Sequence, residues 1–232
     1  MNRILVARPG AVGERIFAGE AESHHLLDVQ RVARGRRVRV SDGSGWQAEA
    51  ELVEVAGGRA VLQIMAEVPR VEAAERVVIL GMPKPAALEE ALVLGTEAGA
   101  TAFVLVRAAR SPPGELRAER VERVLRAAVT QCGRAEVPIV RGPVALSELG
   151  ELPERRWLGS LVSAGGSNNT EPLSSVTPDP GAVIAVGPEG GWTPGEEETL
   201  RGMGFAPISL GPYTLRTPTA VAVGLGRLLG DA

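Results

Sequence analysis

The first part of the chain is built from short segments in which apolar and polar residues alternate. Three of these segments are separated by glycine-containing turns, and they span 37–41, 46–55 and 60–66. Alternation with a period of two predicts strands with one buried face, and the short turns predict antiparallel neighbours. We therefore predict a small, mostly β domain over residues 1–68.

A helical pattern precedes these strands. Apolar residues recur at helical spacing between Leu26 and Val32, and Ser23 stands before them. Serine is a preferred N-cap because its hydroxyl accepts a hydrogen bond from a free amide of the first helical turn. The sequence therefore predicts a short helix over 23–32 that begins at this serine.

The pattern changes after a charged segment at 69–76, which we interpret as a linker. Over 77–232, apolar strands alternate with helical stretches, and this order predicts a mostly parallel sheet with helices on both faces. The predicted strands are Val77–Leu80, Ala102–Val106, Val137–Val140, Leu158–Val162, Val183–Val186 and Pro207–Leu210, and the predicted helices are Ala86–Ala98, Glu115–Gln131, Val144–Leu149, Pro194–Met203 and Thr217–Leu229. Ligands of such sheets bind beyond the carboxyl ends of the strands.

Two of these strands run into glycine-containing loops. The loops lie within 185–197 and 208–220, and they lead into Thr193-Pro194 and Thr217-Pro218. Threonine is a common N-cap and proline suits the first helical position, so each loop is predicted to end at a helix start. Glycine lets the backbone approach a ligand closely, which favours a pocket for a nucleotide-like molecule; tight turns without a ligand would show the same pattern.

Several kinds of site are disfavoured by motifs that the sequence lacks. There is no G-x-G-x-x-G after the first strand of the α/β part, no G-x-x-x-x-G-K-[ST] and no G-x-S-x-G, so dinucleotide oxidoreductases, P-loop enzymes and serine hydrolases do not fit.

The chain has one cysteine, Cys132, and its two histidines are His24 and His25. We therefore expect neither an intramolecular disulfide nor a metal site.

The charge distribution points to RNA although the net charge does not. A net charge of −3 argues against nucleic-acid binding, but residues 31–39 hold five arginines and no acid. Local basic patches can bind phosphate within a mildly acidic protein. The residues assigned to RNA phosphates are Arg31, Arg34, Arg36 and Arg37, and the alternative is an ordinary solvated surface.

The apolar segments are too short for a membrane protein. None approaches the roughly 20 residues that cross a bilayer, and the N-terminal residues lack the features of a signal peptide. We expect a soluble, cytoplasmic protein without a membrane partner.

Motifs along nearly the whole chain carry a resemblance to one enzyme family. They are His25-Leu26-x-x-Val29-x-Arg31-Val32, Glu97-Ala98-Gly99-Ala100-Thr101, Arg110-Ser111, Gln131-Cys132-Gly133-Arg134, Gly187-Pro188-Glu189-Gly190-Gly191 and Leu210-Gly211-Pro212-x-x-Leu215-Arg216-Thr217. Their order and spacing are similar to those of the 16S rRNA (uracil-1498-N3)-methyltransferase family, within the SPOUT superfamily of trefoil-knotted RNA methyltransferases.

The resemblance implies a fold, a cofactor and partners. The expected fold is α/β, with a PUA-like β-barrel domain ahead of a C-terminal SPOUT domain whose mostly parallel sheet carries a trefoil knot. The implied cofactor is S-adenosylmethionine, and the implied partners are 16S rRNA in the 30S subunit and a second copy of the chain in a homodimer. The resemblance places the cofactor against Leu161, Val162, Gly187, Pro188, Glu189, Gly190, Gly191, Leu210, Gly211, Leu215, Arg216 and Thr217.

Three residues of these motifs are given roles in the N3-methylation of a uridine. Arg216 is expected to hydrogen-bond the uracil oxygen on which negative charge develops, and Arg110 to hold a nearby phosphate. Glu189 is the only acid within its glycine motif, and it is either a catalytic group or a residue that positions loop amides. The family often has arginine in place of Tyr213 and glutamate in place of Pro218, so neither residue is given a role.

The sequence leaves other functions open. The active-site motifs would look similar in a SPOUT methyltransferase that acts on another RNA, such as a transfer RNA. A non-catalytic ribosome-assembly factor could keep the same fold and cofactor. A small-molecule-binding α/β protein with an accessory β domain is a third alternative.

Overall fold

Two sheets organise the chain, one mixed and one parallel. The computed structural model describes residues 1–70, 74–160 and 181–229. The chain divides into two units: the first comprises Met1–Glu72 and Arg126–Val137, and the second comprises Ala73–Leu125 and Pro138–Ala232.

The mixed sheet belongs to the first unit and has the strand order β1-β3-β4-β5-β2. Its strands are β1 (Asn2–Leu5), β2 (Arg15–Phe17), β3 (Arg37–Ser41), β4 (Gln47–Ala56) and β5 (Arg59–Val68). β1 is parallel to β3, and the other pairs are antiparallel. The three predicted strands are confirmed as β3, β4 and β5, whereas β1 and β2 are too short for alternation to reveal them.

The predicted helix of this unit exists, but its predicted start is wrong. Helix α1 spans Glu20–His24, follows Gly19 as its N-cap, and continues into a π-helical turn over His25–Val29. Ser23 lies inside α1 and is buried, and its Oγ accepts the backbone N–H of Ala60 at 3.0 Å. The hydroxyl therefore satisfies a buried amide of β5 instead of capping the helix, because an unpaired buried amide is costly.

The first unit also includes a segment that follows much later in the chain. Residues 126–137 contain the last part of helix α3, which spans Ala118–Cys132, and the turn after it. Ser41 Oγ donates to the carbonyl of Ala135 at 2.8 Å, and the N–H of Val137 donates to the carbonyl of Gly43 at 2.8 Å. The predicted second domain, 77–232, thus contains residues that pack on the mixed sheet.

The second unit is an α/β layer structure with a six-stranded, all-parallel sheet of order β11-β9-β10-β6-β7-β8. Its strands are β6 (Arg76–Gly81), β7 (Ala102–Val106), β8 (Ile139–Val144), β9 (Arg155–Ser160), β10 (Ala182–Val186) and β11 (Ala206–Ser209). The other helices are α2 (Pro85–Glu97), α4 (Pro194–Gly202) and α5 (Thr217–Leu229). Every residue of β6, β7 and β10 is buried, which explains why these strands are apolar apart from Arg76 at the start of β6.

Two predicted elements of the second unit are wrong in detail. The strand predicted at Val137–Val140 begins at Ile139, because Val137 already pairs with the first unit. The helix predicted over Val144–Leu149 is only a 3₁₀ turn at Leu146–Glu148, since β8 continues to Val144. The predicted α/β class, with a β domain ahead of a parallel sheet, is confirmed.

Close packing of α2 against the sheet depends on a glycine. A Cβ at Gly95 would lie 2.7 Å from the ring of Phe103, which is fully buried in β7, and 3.1 Å from Val221 of α5. No side chain fits there without moving a packed neighbour. This contact fixes α2 beside α5, and the starts of both helices contribute to the site described next.

Candidate functional site

A cavity of about 820 Å³ lies at the carboxyl ends of β10 and β11, where the sequence predicts a ligand site. We call it the first cavity. Its main walls are the glycine loop, defined as residues 187–192, and the second loop, defined as 210–216. The lining residues outside these loops are Ala87, Arg110, Gly159, Val186, Glu197, Arg201, Thr217, Pro218 and Ala220.

The glycine loop is tight enough to require its glycines. A Cβ at Gly187 would lie 3.0 Å from the backbone nitrogen of Trp192, and Gly191 adopts a φ of +69°. The N–H of Gly191 donates to the carbonyl of Pro188 at 2.8 Å, which closes the turn. The side chain of Trp192 is buried in the core and anchors the loop at its far end.

A capping box joins the glycine loop to α4. Thr193 is the N-cap, as predicted, and the Glu196 carboxylate accepts its backbone N–H at 2.7 Å and its hydroxyl at 2.9 Å. The other carboxylate oxygen accepts the N–H of Ala109, after β7, at 2.7 Å. Partial burial raises the pKa of Glu196, but these hydrogen bonds and the nearby charge of Arg110 outweigh it, so the pKa lies below its ordinary value.

Arg110 supports the glycine loop from the side. Its Nη1 donates to the carbonyls of Gly190 at 2.8 Å and Trp192 at 3.2 Å. A Cβ at Gly190 would lie 3.0 Å from the Cβ of Arg110, so the two segments are in direct contact. The structure thus gives Arg110 a positioning contact that the sequence did not suggest, and the predicted contact with phosphate stays a prediction.

Glu189 connects the glycine loop to α2. Its Oε1 accepts the backbone N–H of Lys84 at 3.1 Å, and Lys84 is the N-cap of that helix. A carboxylate near a helix N-terminus is stabilised by the helix dipole. Of the two roles that the sequence left open for Glu189, the geometry supports the positioning of loop amides.

The second loop is fixed at both ends. Gly211 adopts a φ of +134°, and its N–H donates to Ser209 Oγ at 3.3 Å. At the other end, Thr217 is buried, and its Oγ1 donates to the carbonyl of Gly187 at 3.4 Å. The two loops are therefore hydrogen-bonded to each other and form continuous walls of the first cavity.

Arg216 carries the positive charge of the second loop. Its guanidinium makes two hydrogen bonds to the Glu90 carboxylate of α2, at 3.1 and 3.2 Å, and its side chain is 73% exposed. Nothing in the sequence distinguishes Glu90 from the other acids of α2, so its pairing was not predictable. Tyr213, which also lines the cavity, is 77% exposed and leaves an aromatic ring accessible at this wall.

The first cavity has the properties of a site for a nucleoside-sized ligand. Its volume falls within the range of about 300–1,000 Å³ that is common for small-molecule sites. A Cβ at Gly191 or Gly211 would meet no atom of the described residues within 4 Å, so both backbones face open space as far as these residues are concerned. Of the predicted cofactor residues, the structure brings all those between 187 and 217 to this cavity; Leu161 and Val162 lie outside the described residues.

The arginines predicted to bind RNA are exposed on the first unit. Within the described part of the chain, Arg31, Arg34 and Arg36 have no acidic partner, whereas Arg37 pairs with Glu49 at 3.4 Å. Arg31 adopts a φ of +52°, a conformation that costs about 1–2 kcal/mol for a residue with a Cβ. Their contact with RNA stays a prediction.

The structure adds two findings on membranes and metals. None of the helices in the ranges that we describe is long and apolar enough to span a bilayer. Over the same ranges, no three histidine, cysteine or acidic side chains cluster as metal ligands would.

Comparisons with known proteins relate the chain to RNA methyltransferases. A family model described as an RNA methyltransferase domain matches residues 71–229. The chain is 30% identical to the ribosomal RNA small subunit methyltransferase E of Synechocystis over 97% of this chain and 76% of that protein. It is 32% identical to the protein of the same name from Mycobacterium bovis, over 88% of this chain and 82% of that one.

A solved structure agrees with these sequence matches. The crystal structure of a ribosomal RNA small subunit methyltransferase E from Neisseria gonorrhoeae, bound to S-adenosyl methionine, superposes with a TM-score of 0.82 at 27% identity. The match covers 97% of this chain and 95% of that one. The predicted class, a PUA-like β domain ahead of a SPOUT domain, is confirmed by this likeness.

Proposed function

The chain belongs to the RNA methyltransferase family, and from that premise we propose that it methylates N3 of a uridine in the 16S rRNA of the small ribosomal subunit, with S-adenosylmethionine as cofactor. The observation that carries the proposal is the first cavity. There, two loops with open glycine backbones meet the exposed positive charge of Arg216 beyond the carboxyl ends of parallel strands.

The residues present fit the cofactor. The open backbones at Gly191 and Gly211 leave room for a ligand to lie against the loops, and the cavity is large enough for a nucleoside with a side chain. Backbone amides and carbonyls of such loops can hydrogen-bond an adenine edge and ribose hydroxyls without side chains. When bound, S-adenosylmethionine supplies an electrophilic methyl group on its sulfonium.

The protein's main contribution is positioning. Methylation of N3 requires that the N3 proton be released to solvent and that the uracil face the methyl group in line. Alignment of two bound reactants can supply roughly 7–11 kcal/mol of the barrier reduction. Arg110, Glu189 and Glu196 act in this account by fixing the loops that form the cavity, since each holds a backbone group of a neighbouring segment.

Arg216 stabilises the charge that develops on the uracil. Loss of the N3 proton places negative charge on the adjacent carbonyl oxygens, and a guanidinium aimed at one of them stabilises that state. In the structure, Arg216 pairs with Glu90 at the surface. Exposed ion pairs are worth only about 0–1 kcal/mol, so turning this guanidinium toward the substrate costs little.

The first unit supplies affinity for RNA. Arg31, Arg34 and Arg36 have no acidic partner among the described residues, and they can neutralise phosphates in a manner that does not depend on sequence. We propose that the protein acts as a homodimer, as the family resemblance implies, that it is cytoplasmic, and that residues 1–68 serve as the RNA-binding domain.

Transfer of labelled methyl groups tests this function. Purified protein is incubated with labelled S-adenosylmethionine and unmodified 30S subunits, 50S subunits or transfer RNA. Label in 30S subunits only is expected, and Arg216→Ala should abolish most of the transfer. Label in another RNA would replace the proposed substrate, and cofactor binding without any transfer would favour an assembly factor.

A further inference from the structure

A second cavity, of about 560 Å³, lies beside the carboxyl ends of β6 and β7. Its walls come from the β6–α2 junction, from α2, from the segment before α3 and from the start of α3. The lining residues are Met82, Pro83, Pro85, Leu88, Glu89, residues 112–117, Arg120 and Val121. The proposed reaction does not use this cavity.

The second cavity is a neighbour of the first within the same unit. On the first turns of α2, Ala87 lines the first cavity and Leu88 lines the second. In the segment after β7, Arg110 lines the first and Pro112 the second. Because β10 and β6 are adjacent parallel strands about 5 Å apart, both cavities lie at the carboxyl ends of the strands, on the same side of the sheet.

The walls of the second cavity suit a flat, apolar ligand with polar edges. Prolines, Met82 and Leu88 provide apolar surface on several sides. One wall carries an ion pair in which Arg120 donates to both carboxylate oxygens of Glu89, at 2.6 and 2.7 Å. Such a pair offers donors and acceptors in one plane, which is what the edge of a nucleobase requires.

Lys84 lies on the ridge between the two cavities. Its neighbours Pro83 and Pro85 line the second cavity, and its backbone N–H is held by Glu189, which lines the first. Lys84 is the single lysine of the sequence, and its side chain is exposed. No carboxylate among the residues with described positions pairs with its ammonium group, so this charge is available to a phosphate.

We propose that the second cavity binds the base of a nucleotide adjacent to the methylated one, and that Lys84 binds the phosphate between them. An RNA strand whose target base enters the first cavity must continue over the neighbouring surface. This surface offers a base-sized cavity and, among the described residues, an ammonium group at Lys84 without a carboxylate partner. The inference rests on the proposed function, because it takes the first cavity to hold the target base beside the cofactor.

Substitution of Lys84 tests the phosphate contact. Lys84→Ala is expected to raise the KM for RNA about tenfold, the loss typical of one charge-assisted hydrogen bond, and to reduce the slope of log affinity against log salt by about one unit. Lys84→Arg should keep most of the wild-type values, and the affinity for S-adenosylmethionine should be unchanged in both. If Lys84→Ala behaves like the control Arg227→Ala, which removes an exposed cation that lines neither cavity, the inference is wrong.

Cross-linking tests the base-binding cavity. Leu116 lines the second cavity and is partly exposed, and p-benzoylphenylalanine in its place should cross-link to a nucleotide next to the methylated uridine. A cross-link to a distant nucleotide, obtained while the wild-type protein still methylates the RNA, would overturn the inference and leave the proposed function intact. Absence of methyl transfer by the wild-type protein would instead reject the proposed function and this inference with it.

Discussion

Substitution of Glu196 tests most clearly which contacts hold the loops of the site in place. Its carboxylate accepts three hydrogen bonds, from the amide and hydroxyl of Thr193 and from the amide of Ala109. It therefore caps α4 and holds the segment after β7 against the glycine loop. Glu196→Ala leaves these groups without a partner at a partly buried position.

The expected loss of stability follows from these contacts. Loss of the capping interaction costs about 1 kcal/mol, and loss of the charge at the helix N-terminus costs about 0.3–1 kcal/mol. The amide of Ala109 loses a hydrogen bond to a charged group, which is worth roughly 1 kcal/mol after allowance for partial exposure. We expect the free energy of unfolding to fall by about 2–3 kcal/mol, the sum of these contributions.

Urea unfolding and calorimetric titration with S-adenosylmethionine measure both consequences. Glu198→Ala is the matched control, since Glu198 is an exposed acid on the same helix and should change stability by less than about 0.5 kcal/mol. Glu196→Ala should also weaken cofactor binding several-fold because the glycine loop loses a support. Equal stabilities and equal affinities of the two variants would refute this account of the site.

The contribution of Glu196 to stability should depend on pH. The pKa of Glu196 in the folded protein is below its ordinary value near 4.5, chiefly because the hydrogen bonds to its carboxylate outweigh the effect of burial. Its contribution is thus fully present above that ordinary value and is lost as the pH falls through the folded pKa. In acid, the wild type should lose stability relative to Glu196→Ala, and their difference should shrink.

Three further substitutions test separate parts of the structure. Arg31→Gly should raise the free energy of unfolding by up to about 1 kcal/mol because it relieves a positive φ, and a loss of stability in urea unfolding would contradict this. The same change should lower the slope of log RNA affinity against log salt by about one unit. Gly95→Ala should lower the free energy of unfolding by about 1–3 kcal/mol because the new Cβ clashes with the ring of Phe103. An unchanged urea midpoint would show that α2 can shift. Glu90→Gln should change stability by less than about 1 kcal/mol and should retain methyl transfer, whereas loss of transfer would mean that Arg216 acts only when paired.

The parallel sheet was predictable because its central strands are buried on both faces. Every residue of β6, β7 and β10 is buried, so each strand appears in the sequence as an apolar run, apart from Arg76 at the start of β6. The edge strand β8 carries exposed residues, and its predicted start was two residues too early. The length of β2 is only three residues, too few for any periodic pattern.

The loops of the site were predictable, but the contacts that hold them were not. Glycine and Thr-Pro pairs at strand ends have local causes, since a turn with positive φ and a helix start each favour particular residues. The partners of Arg110 and Glu189 come from segments 80 and 105 positions away in the chain. Such pairings depend on the strand order of the sheet, which no local pattern specifies.

Ser23 is another residue whose contacts could not be predicted from the local sequence. By itself, a serine before an apolar helical pattern is a good N-cap, and the local preference is real. In the folded protein, the buried amide of Ala60 needs an acceptor, and Ser23 provides it from inside α1. The tertiary requirement outweighed the local one because a missing hydrogen bond in the core costs more than a missing cap.

The measurement that tests the central claim most directly is the identity of the methylated nucleoside. After reaction of the wild-type protein with S-adenosylmethionine and unmodified 30S subunits, the 16S rRNA is digested to nucleosides and analysed by mass spectrometry. The account predicts one 3-methyluridine per 16S rRNA, and far less when Arg216→Ala replaces the wild type. A methyl group on another base, on a ribose, or on another atom of uridine would contradict it.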